Sequence, residues 1–170
     1  MISQKVQDAF NEQLNAEAYS AYLYLAMSAY FESLNLNGMA SWMRVQAQEE
    51  TAHAMKFFDH VQSRGGRVVL TQIAPPPAEW DSPLAAFEAA YEHETVISEE
   101  INKLVDLSIA ESDHASNAFL QWFVTEQVEE EESVLQIVDQ LKLIGDDRGA
   151  LFLLERELGQ RVAPAGEAEA

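Results

Sequence analysis

The sequence predicts an all-α protein: a four-helix bundle with one long crossover and a short fifth helix towards the C-terminus. Apolar residues recur in steps of three and four along four segments of nearly 30 residues, which is the period of an amphipathic helix. Short turns join the first segment to the second and the third to the fourth, so each pair is expected to be antiparallel. Between the second and third segments lie 17 residues, which extend to about 56 Å at most. This connection is long enough to return along the bundle and make the second and third helices parallel.

The first two helices are bounded by local signals. The first is expected from Ser3, a good N-cap residue, to Ser33. The second is expected from Asn37 to Arg64, because two glycines follow it and glycine commonly ends a helix. The crossover then covers Gly65 to Asp81, where three consecutive prolines exclude a helix.

The remaining helices follow the crossover. Asp81 or Ser82, with Pro83 at the first helical position, starts the third helix. The third helix is expected over Pro83 to Glu111. A turn over Glu111 to Ser116 follows, and after it the fourth helix runs to Ile144. The fifth helix is expected over Arg148 to Gly159. The core face of the third helix is predicted to be Phe87, Tyr91, Glu94, Ser98, Ile101, Val105 and Ser108. One domain is expected over residues 1–162, and a disordered tail over 163–170.

Composition excludes several classes of function. Asp and Glu number 29 against 10 Lys and Arg, a net charge of −19, which argues against nucleic acid or an anionic membrane as partner. The absence of cysteine excludes disulfides, thiol catalysis and cysteine-ligated iron–sulfur clusters. Neither a signal peptide nor an 18-residue apolar run is recognisable, so a cytoplasmic protein is expected.

Each long helix interrupts its apolar face near mid-length with side chains able to bind a metal ion. They are Glu17 in the first helix, Glu50 and His53 in the second, Glu94 in the third, and Gln127 and Glu130 in the fourth. Glu17 and Glu50 are 33 residues apart, as are Glu94 and Gln127, and each pair is centred beside a short turn. Residues equally distant from the turn of an antiparallel hairpin lie side by side. All six side chains are therefore expected at one level of the bundle.

Such a level is unstable without cations, because buried carboxylates repel one another and lose their hydration. The groups must be protonated, face solvent, or bind divalent metal. An oxygen-rich set with one imidazole suits iron or manganese, with zinc as a competitor. A glutamate able to bridge two ions makes a dinuclear site plausible. Glu50 and His53, three residues apart, share one helix face.

Simpler interpretations exist for each part. A single Glu-x-x-His pair is a weak signal, and the acidic run 126–132 is by itself typical of a solvated face. Aromatic and sulfur-containing side chains are typical of core packing, here Tyr24, Trp122, Met39, Met43 and Met55. His60, His93 and His114 fall off the shared level and receive no role. The joint occurrence on four faces, with a repeated spacing, favours the metal site.

At this point the chain resembles the bacterial non-haem ferritins over about residues 1–158. The matching segments are NEQLNAEAYSAYLYLAM around Glu17, AQEETAHAMKFFDH around Glu50 and His53, the Glu94 position, and FLQWFVTEQVEEE around Gln127 and Glu130. The resemblance implies a five-helix subunit, a hollow cage of 24 subunits, and oxidation of ferrous iron by O2 or H2O2 before storage as a ferric mineral. It thus implies a ferroxidase with the ferritin-like topology.

The resemblance also assigns residues. Glu17, Glu50 and His53 match a first iron site, and Glu50, Glu94 and Glu130 match a second. Gln127 matches the amide beside them, and Tyr24 and Trp122 match neighbouring aromatic residues. A third iron site is implied at Glu49, Glu126 and Glu129, shared with Glu130. Asn117 and Leu120 match the three-fold pore that animal ferritins line with acids, so a different entry route is expected.

Departures from related families narrow the assignment. Bacterioferritins and rubrerythrins carry two Glu-x-x-His motifs, whereas the second motif here is Gln127-x-x-Glu130. Bacterioferritins also have a haem-ligating methionine where this chain has Thr51, so no haem is expected. The alternatives on such a bundle are a diiron oxygenase or peroxidase, a storage cage without oxidase activity, and an acidic adaptor.

Overall fold

The computed structural model describes residues 1–162, which form five α-helices. They are α1 (Gln4–Ser33), α2 (Asn37–Ser63), α3 (Pro83–Ala110), α4 (His114–Ile144) and α5 (Arg148–Leu158). The all-α four-helix bundle with a short fifth helix is confirmed. The predicted bounds agree to within two residues, except that α4 begins at His114, inside the predicted turn, where Asp113 caps it. The tail 163–170, predicted to be disordered, lies outside the described residues.

Side-chain caps explain where the helices begin. The Ser3 hydroxyl accepts a hydrogen bond from the Val6 amide at the start of α1. Ser82 caps α3, with Pro83 in the first turn, so of the two predicted caps the serine is correct. Each cap satisfies a backbone N–H group that has no partner inside the helix.

The crossover runs along the bundle, as predicted. It leaves α2 beside the start of α1, where the Asn11 side chain donates to the Arg67 carbonyl and accepts from the Val69 amide. It arrives at the other end of α1, where Trp80 packs on Tyr30 with ring centroids 5.3 Å apart. Asn11 and Tyr30 are separated by 19 residues of one helix, or roughly 28 Å at about 1.5 Å per residue.

The apolar core has two parts. One lies towards the α5 end of the bundle and contains Tyr24, Met27, Phe31, Met39, Met43, Phe87, Val134 and Leu154. The other lies towards the opposite end and contains Phe10, Leu14, Phe57, Val61, Ile101, Leu120 and Phe123. Along α1, Leu14 belongs to one part and Leu23 to the other, with the buried Glu17 between them. A layer of buried polar side chains therefore separates the two apolar parts of the core.

The fifth helix docks on the start of α2. The Glu155 carboxylate accepts hydrogen bonds from the backbone amides of Gly38 and Met39, so it caps α2 from another helix. A Cβ atom at Gly38 would lie 1.9 Å from the Glu155 carbonyl oxygen, hence only glycine permits this approach. No helix within residues 1–162 is long and apolar enough to cross a membrane.

Four sequence expectations need correction. The core face of α3 is turned: Tyr91, Ser98 and Val105 are half-buried, while Ala90, Ile97 and Leu104 are buried. The two sets lie on opposite sides of the shared stripe of Phe87, Glu94 and Ile101. Packing against the neighbouring helices decides which side is buried. Met55 and Trp122 were predicted to pack in the core, but Met55 is 46% exposed and Trp122 is 37% exposed, although one side of the Trp122 ring contacts His53. Leu120, placed at a pore by resemblance, is fully buried in the core of its own chain.

Candidate metal centre

The four long helices bring the six predicted mid-level side chains together inside the bundle. Each is at most 5% exposed: Glu17, Glu50, His53, Glu94, Gln127 and Glu130. Their burial follows from the helical period, because each occupies a position on its helix that the apolar residues above and below also occupy. The spacing of 33 residues thus corresponds to real proximity: the Gln127 amide lies 3.1 Å from a Glu94 carboxylate oxygen.

Two sets of possible metal ligands share one carboxylate. Ligand atoms of Glu17, Glu50 and His53 all lie within 4.8 Å of one another, and so do those of Glu50, Glu94 and Glu130. Glu50 belongs to both sets, which is the position of a bridging carboxylate. A further set joins Glu126 to His53 and Glu130.

Gln13 orients the first ligand set. Its amide nitrogen donates to Glu17 Oε1 over 2.8 Å, which leaves Glu17 Oε2 without a hydrogen-bond partner among the described residues. His53 Nδ1 lies 3.2 Å from Glu50 Oε2, and His53 Nε2 likewise has no partner there. Buried polar atoms without partners are rare in proteins. Here they occur on two members of a set that suits a divalent cation.

Tyr24 and Gln127 orient the opposite side. The Tyr24 hydroxyl donates to Glu94 Oε1, and the Gln127 amide donates to Glu94 Oε2 over 3.1 Å. Burial first, and then the Glu94 charge, raise the pKa of Tyr24 well above 10, so the phenol remains a donor. Both oxygens of Glu94 are therefore held in place.

Gln46 links the remaining two carboxylates. Its amide nitrogen donates to Glu50 Oε1 over 3.1 Å and to Glu130 Oε2 over 2.5 Å. Its amide oxygen accepts from Arg161 Nη1 over 2.8 Å. Arginine only donates, so this contact fixes which end of the amide faces the carboxylates.

Electrostatics favour a cation at the centre. Burial, with the Glu50 charge second, raises the pKa of Glu17 to about 8. Burial and the charges of Glu94 and Glu130 raise the pKa of Glu50 well above its usual range. Burial is also the main cause that raises the pKa of Glu94 and of Glu130. These carboxyls hold protons near neutral pH, and a divalent ion that binds them would release those protons.

Aromatic rings close the His53 side. Trp122 and Phe123 pack edge-on against the imidazole, with centroids 5.4 and 5.7 Å away. Phe123 seals the interior, whereas Trp122 is 37% exposed and lies under the Lys56 ammonium. The buried imidazole therefore packs against one buried ring and against one ring that reaches the surface.

The residues implied for a third iron site are only partly assembled. Glu49 is buried and forms an ion pair with Arg161, Glu126 is half-buried in the set with His53 and Glu130, and Glu129 is exposed. Neither Glu49 nor Glu129 belongs to a set of possible ligands among residues 1–162. This site stays a prediction.

Sequence reasoning missed four residues around the centre. Gln13 was accessible in principle, because it lies one turn before Glu17 on the same face. Gln46 was also accessible, because it lies one turn before Glu50 on the same face of α2. His93, half-buried, contacts Ser20 through Nε2 at 2.7 Å and lies beside Tyr24. Arg161 reaches the centre from 112 positions away, and no local pattern reports such a contact.

Comparison with known proteins agrees with this geometry. Residues 7–144 match the family model of the Ferritin-like domain. The chain belongs to the ferritin family. This ferritin is 45% identical over 161 residues to a bacterial non-haem ferritin of Bacteroides fragilis, with 95% of this chain and all of that protein covered. It is 39% identical over 159 residues to a probable bacterial non-haem ferritin-like protein of Haemophilus influenzae, covering 94% and 96% of the two chains.

Solved structures extend the similarity to the archaea. The ferritin superposes on the open-pore ferritin of the hyperthermophilic archaeon Archaeoglobus fulgidus with a TM-score of 0.95 at 56% identity, covering 95% of this chain and all of that one. An engineered closed form of the same archaeal ferritin gives a TM-score of 0.95 at 55% identity, with 96% of this chain and all of that one covered. Proteins of this family bind and store iron, and the buried Glu/His cluster is where this ferritin is equipped to hold metal.

Proposed function

We propose that this ferritin oxidises ferrous iron at a two-iron centre within each chain and stores the ferric product as a mineral in a 24-subunit cage. The iron ligands are Glu17, Glu50, His53, Glu94 and Glu130. One observation carries the proposal: two buried ligand sets share the Glu50 carboxylate, and all ligand atoms within each set lie within 4.8 Å of one another. A single divalent ion would compensate only two of the four carboxylate charges, whereas two ions compensate all four.

In this proposal the ligands bind two ferrous ions, which are the substrate. Glu17 and His53 hold the first ion, Glu94 and Glu130 hold the second, and Glu50 bridges them. Carboxylate oxygens are hard ligands and stabilise the higher charge of ferric iron. The ions supply two electrons, which reduce O2 with two protons to H2O2, or H2O2 with two protons to water. The raised pKa values of the buried carboxyls mean that iron binding itself releases protons.

The surrounding residues orient these ligands. Gln13 donates to one oxygen of Glu17, and Gln46 donates to one oxygen of Glu50 and one of Glu130. Tyr24 and Gln127 hold Glu94. A third iron at Glu49, Glu126 and Glu129 is included in the proposal on family resemblance. Haem is not expected, because Thr51 stands where bacterioferritins have a haem-ligating methionine. The reaction is assigned to the cytoplasm. The five helices, over residues 1–162, form a single domain in this proposal.

Exposed apolar side chains support assembly into a cage. Large apolar residues on several faces of the single chain are more than a third exposed: Tyr22, Leu25, Leu70, Ile73, Phe152 and Leu153. Apolar surface of this kind is stabilised when it is buried against another copy. One relative is described as an open-pore ferritin, so a wide opening in the shell is one form this assembly takes in the family.

The deciding experiment adds ferrous iron in air to the metal-free protein and follows oxidation by absorbance. A first phase saturating at two irons per chain, or three with the additional site, is expected from the ligand sets. Glu50→Ala and His53→Ala should abolish this phase, whereas Glu99→Ala, an exposed glutamate on α3, should not. Oxidation unchanged in both ligand variants would overturn the centre.

A further inference from the structure

Arg161, which follows α5, reaches back to the edge of the metal centre. Its Nη2 atom lies 2.5 Å from Glu49 Oε2, and its Nη1 atom donates to Gln46 Oε1 over 2.8 Å. The guanidinium also stacks over the Trp42 ring, 4.3 Å from the centroid. Three contacts of different kinds thus place one cation at a defined position.

This position is one side chain away from the proposed iron ligands. Gln46 contacts Arg161 through its oxygen, and it contacts Glu50 and Glu130 through its nitrogen. Glu49 precedes the bridging Glu50 and is only 6% exposed. A buried carboxylate at this place needs a positive partner, and the guanidinium is one such partner.

Two cations cannot share this carboxylate at low cost. The Arg161 charge and a metal ion bound by Glu49 would lie a few ångströms apart, and like charges at that separation repel strongly in a partly buried environment. The Arg161 side chain is 22% exposed and comes from the segment after the last helix, so it has a route into solvent. Exchange of one cation for the other is therefore physically available.

We propose that Arg161 is a displaceable counter-cation that competes with a third iron ion for the Glu49 carboxylate, an inference that rests on the proposed function. A third ion pushes the guanidinium off Glu49, Gln46 and Trp42 together. Because Arg161 orients the Gln46 amide, its departure also alters the hydrogen bonds to Glu50 and Glu130. Arg161 acts through these residues and is a positioning residue.

The test uses Zn²⁺, which binds similar ligands without redox chemistry. Calorimetric titration of the full-length assembled protein should resolve two tight ions per chain and a weaker third. In parallel, the Trp80→Phe/Trp122→Phe background leaves Trp42 as the only tryptophan. Its fluorescence should change at the third equivalent as the guanidinium leaves the ring.

Removal of the competitor should tighten the third ion. Arg161→Gln should raise its affinity roughly tenfold, the value of one charge-assisted contact, and should abolish the fluorescence change at the third equivalent. Arg161→Lys should restore part of the competition. Arg156→Gln, which removes the same charge from an exposed position on α5, should behave as wild type.

The outcomes separate the two ideas. Two tight ions in every chain, with a third that Arg161→Gln leaves unchanged in affinity, would overturn the role of Arg161 and leave the two-iron centre intact. Loss of the two tight ions from the wild type would overturn the centre itself, and with it this inference. Glu49→Gln should remove the third step in both the wild type and Arg161→Gln.

Discussion

Glu50 is the side chain on which the centre depends most. It belongs to both ligand sets, accepts a hydrogen bond from Gln46 and lies 3.2 Å from the His53 ring nitrogen. Its neighbours Glu94 and Glu130 are also anionic when ionised, and together with burial they raise its pKa. At the scale of a residue, the centre is thus a set of groups that are unfavourable separately and favourable together around cations.

Tyr24 offers the cleanest test of how Glu94 is held. Tyr24→Phe removes the hydroxyl that donates to Glu94 and leaves the fully buried ring in place. A hydrogen bond to a charged group contributes about 1.5–3 kcal/mol, so we expect oxidation of the first irons to slow by about tenfold or more. Stopped-flow absorbance measures this rate. Tyr22→Phe makes the same change on α1 at a position that is half exposed in the single chain and does not contact Glu94, so the oxidation rate should not change. Equal slowing in both variants would contradict the role of Tyr24.

Glu17 predicts an unusual pH dependence of stability. Burial raises its pKa to about 8 in the folded chain, against the ordinary pKa of 4.5 for an exposed carboxyl. Between those values the folded chain holds a proton that the unfolded chain has lost, so the free energy of unfolding falls as pH rises. The slope is at most about 1.4 kcal/mol per pH unit for this group. The stabilisation is complete below the unfolded value and lost above the folded one.

Urea unfolding of the metal-free protein at a series of pH values measures this slope. Glu17→Gln keeps the shape but cannot ionise, so part of the fall in stability should disappear. Added Zn²⁺ should reverse the trend, because metal binds the ionised carboxylates and higher pH favours them. Stability that rises steadily with pH in the metal-free protein would contradict the burial of protonated carboxyls.

At the scale of elements, α5 is joined to the bundle by a cap between two helices. Glu155 accepts from the amides of Gly38 and Met39, where the partial positive charge of the α2 N-terminus favours a carboxylate. Packing is close enough that a Cβ at Gly38 would collide with α5. The start of α2 and the position of α5 are therefore mutually dependent.

Glu155→Gln should destabilise this junction by about 1–2 kcal/mol, since the amide provides a weaker cap without a charge. Chemical denaturation measures the loss. The first phase of iron oxidation should keep its stoichiometry, because Glu50, the first ligand of the two-iron centre on α2, lies 50 − 38 = 12 positions beyond the capped Gly38. Glu157→Gln, an exposed change on the same helix, is the matched control. Equal stability of the two variants would show that the cap contributes nothing.

At the scale of the molecule, assembly is the remaining prediction. A cage of 24 chains of 19.0 kDa each has a mass of about 460 kDa, and closed symmetric assemblies are the rule for soluble oligomers. Light scattering coupled to size exclusion measures the mass directly. Monomers or dimers alone, at any salt concentration, would contradict the cage. With a net charge of −19 on each chain, we expect higher salt to favour assembly by screening repulsion.

Much of the fold was predictable from local rules. Helix bounds followed from caps, glycines and prolines, and the antiparallel pairs followed from short turns. The crossover prediction is confirmed because its two ends contact opposite ends of α1. The rotation of α3 was not predictable, since Tyr91 and Ala90 flank the same stripe and only contact with the neighbouring helices selects between them.

The sequence by itself determined that four helices each carry ligand-type side chains at matched distances from their turns. Helical period and hairpin geometry are local properties, so the level at which Glu17, Glu50, Glu94 and Gln127 meet could be calculated without coordinates. The tertiary structure alone decided which groups reach that level from elsewhere in the fold. The Tyr24 hydroxyl on α1 donates to Glu94 on α3, and Arg161 reaches Gln46 and Glu49 on α2 from beyond α5. Contacts of that kind depend on how whole helices pack and where the chain returns, and a residue pattern along one helix carries no information about either.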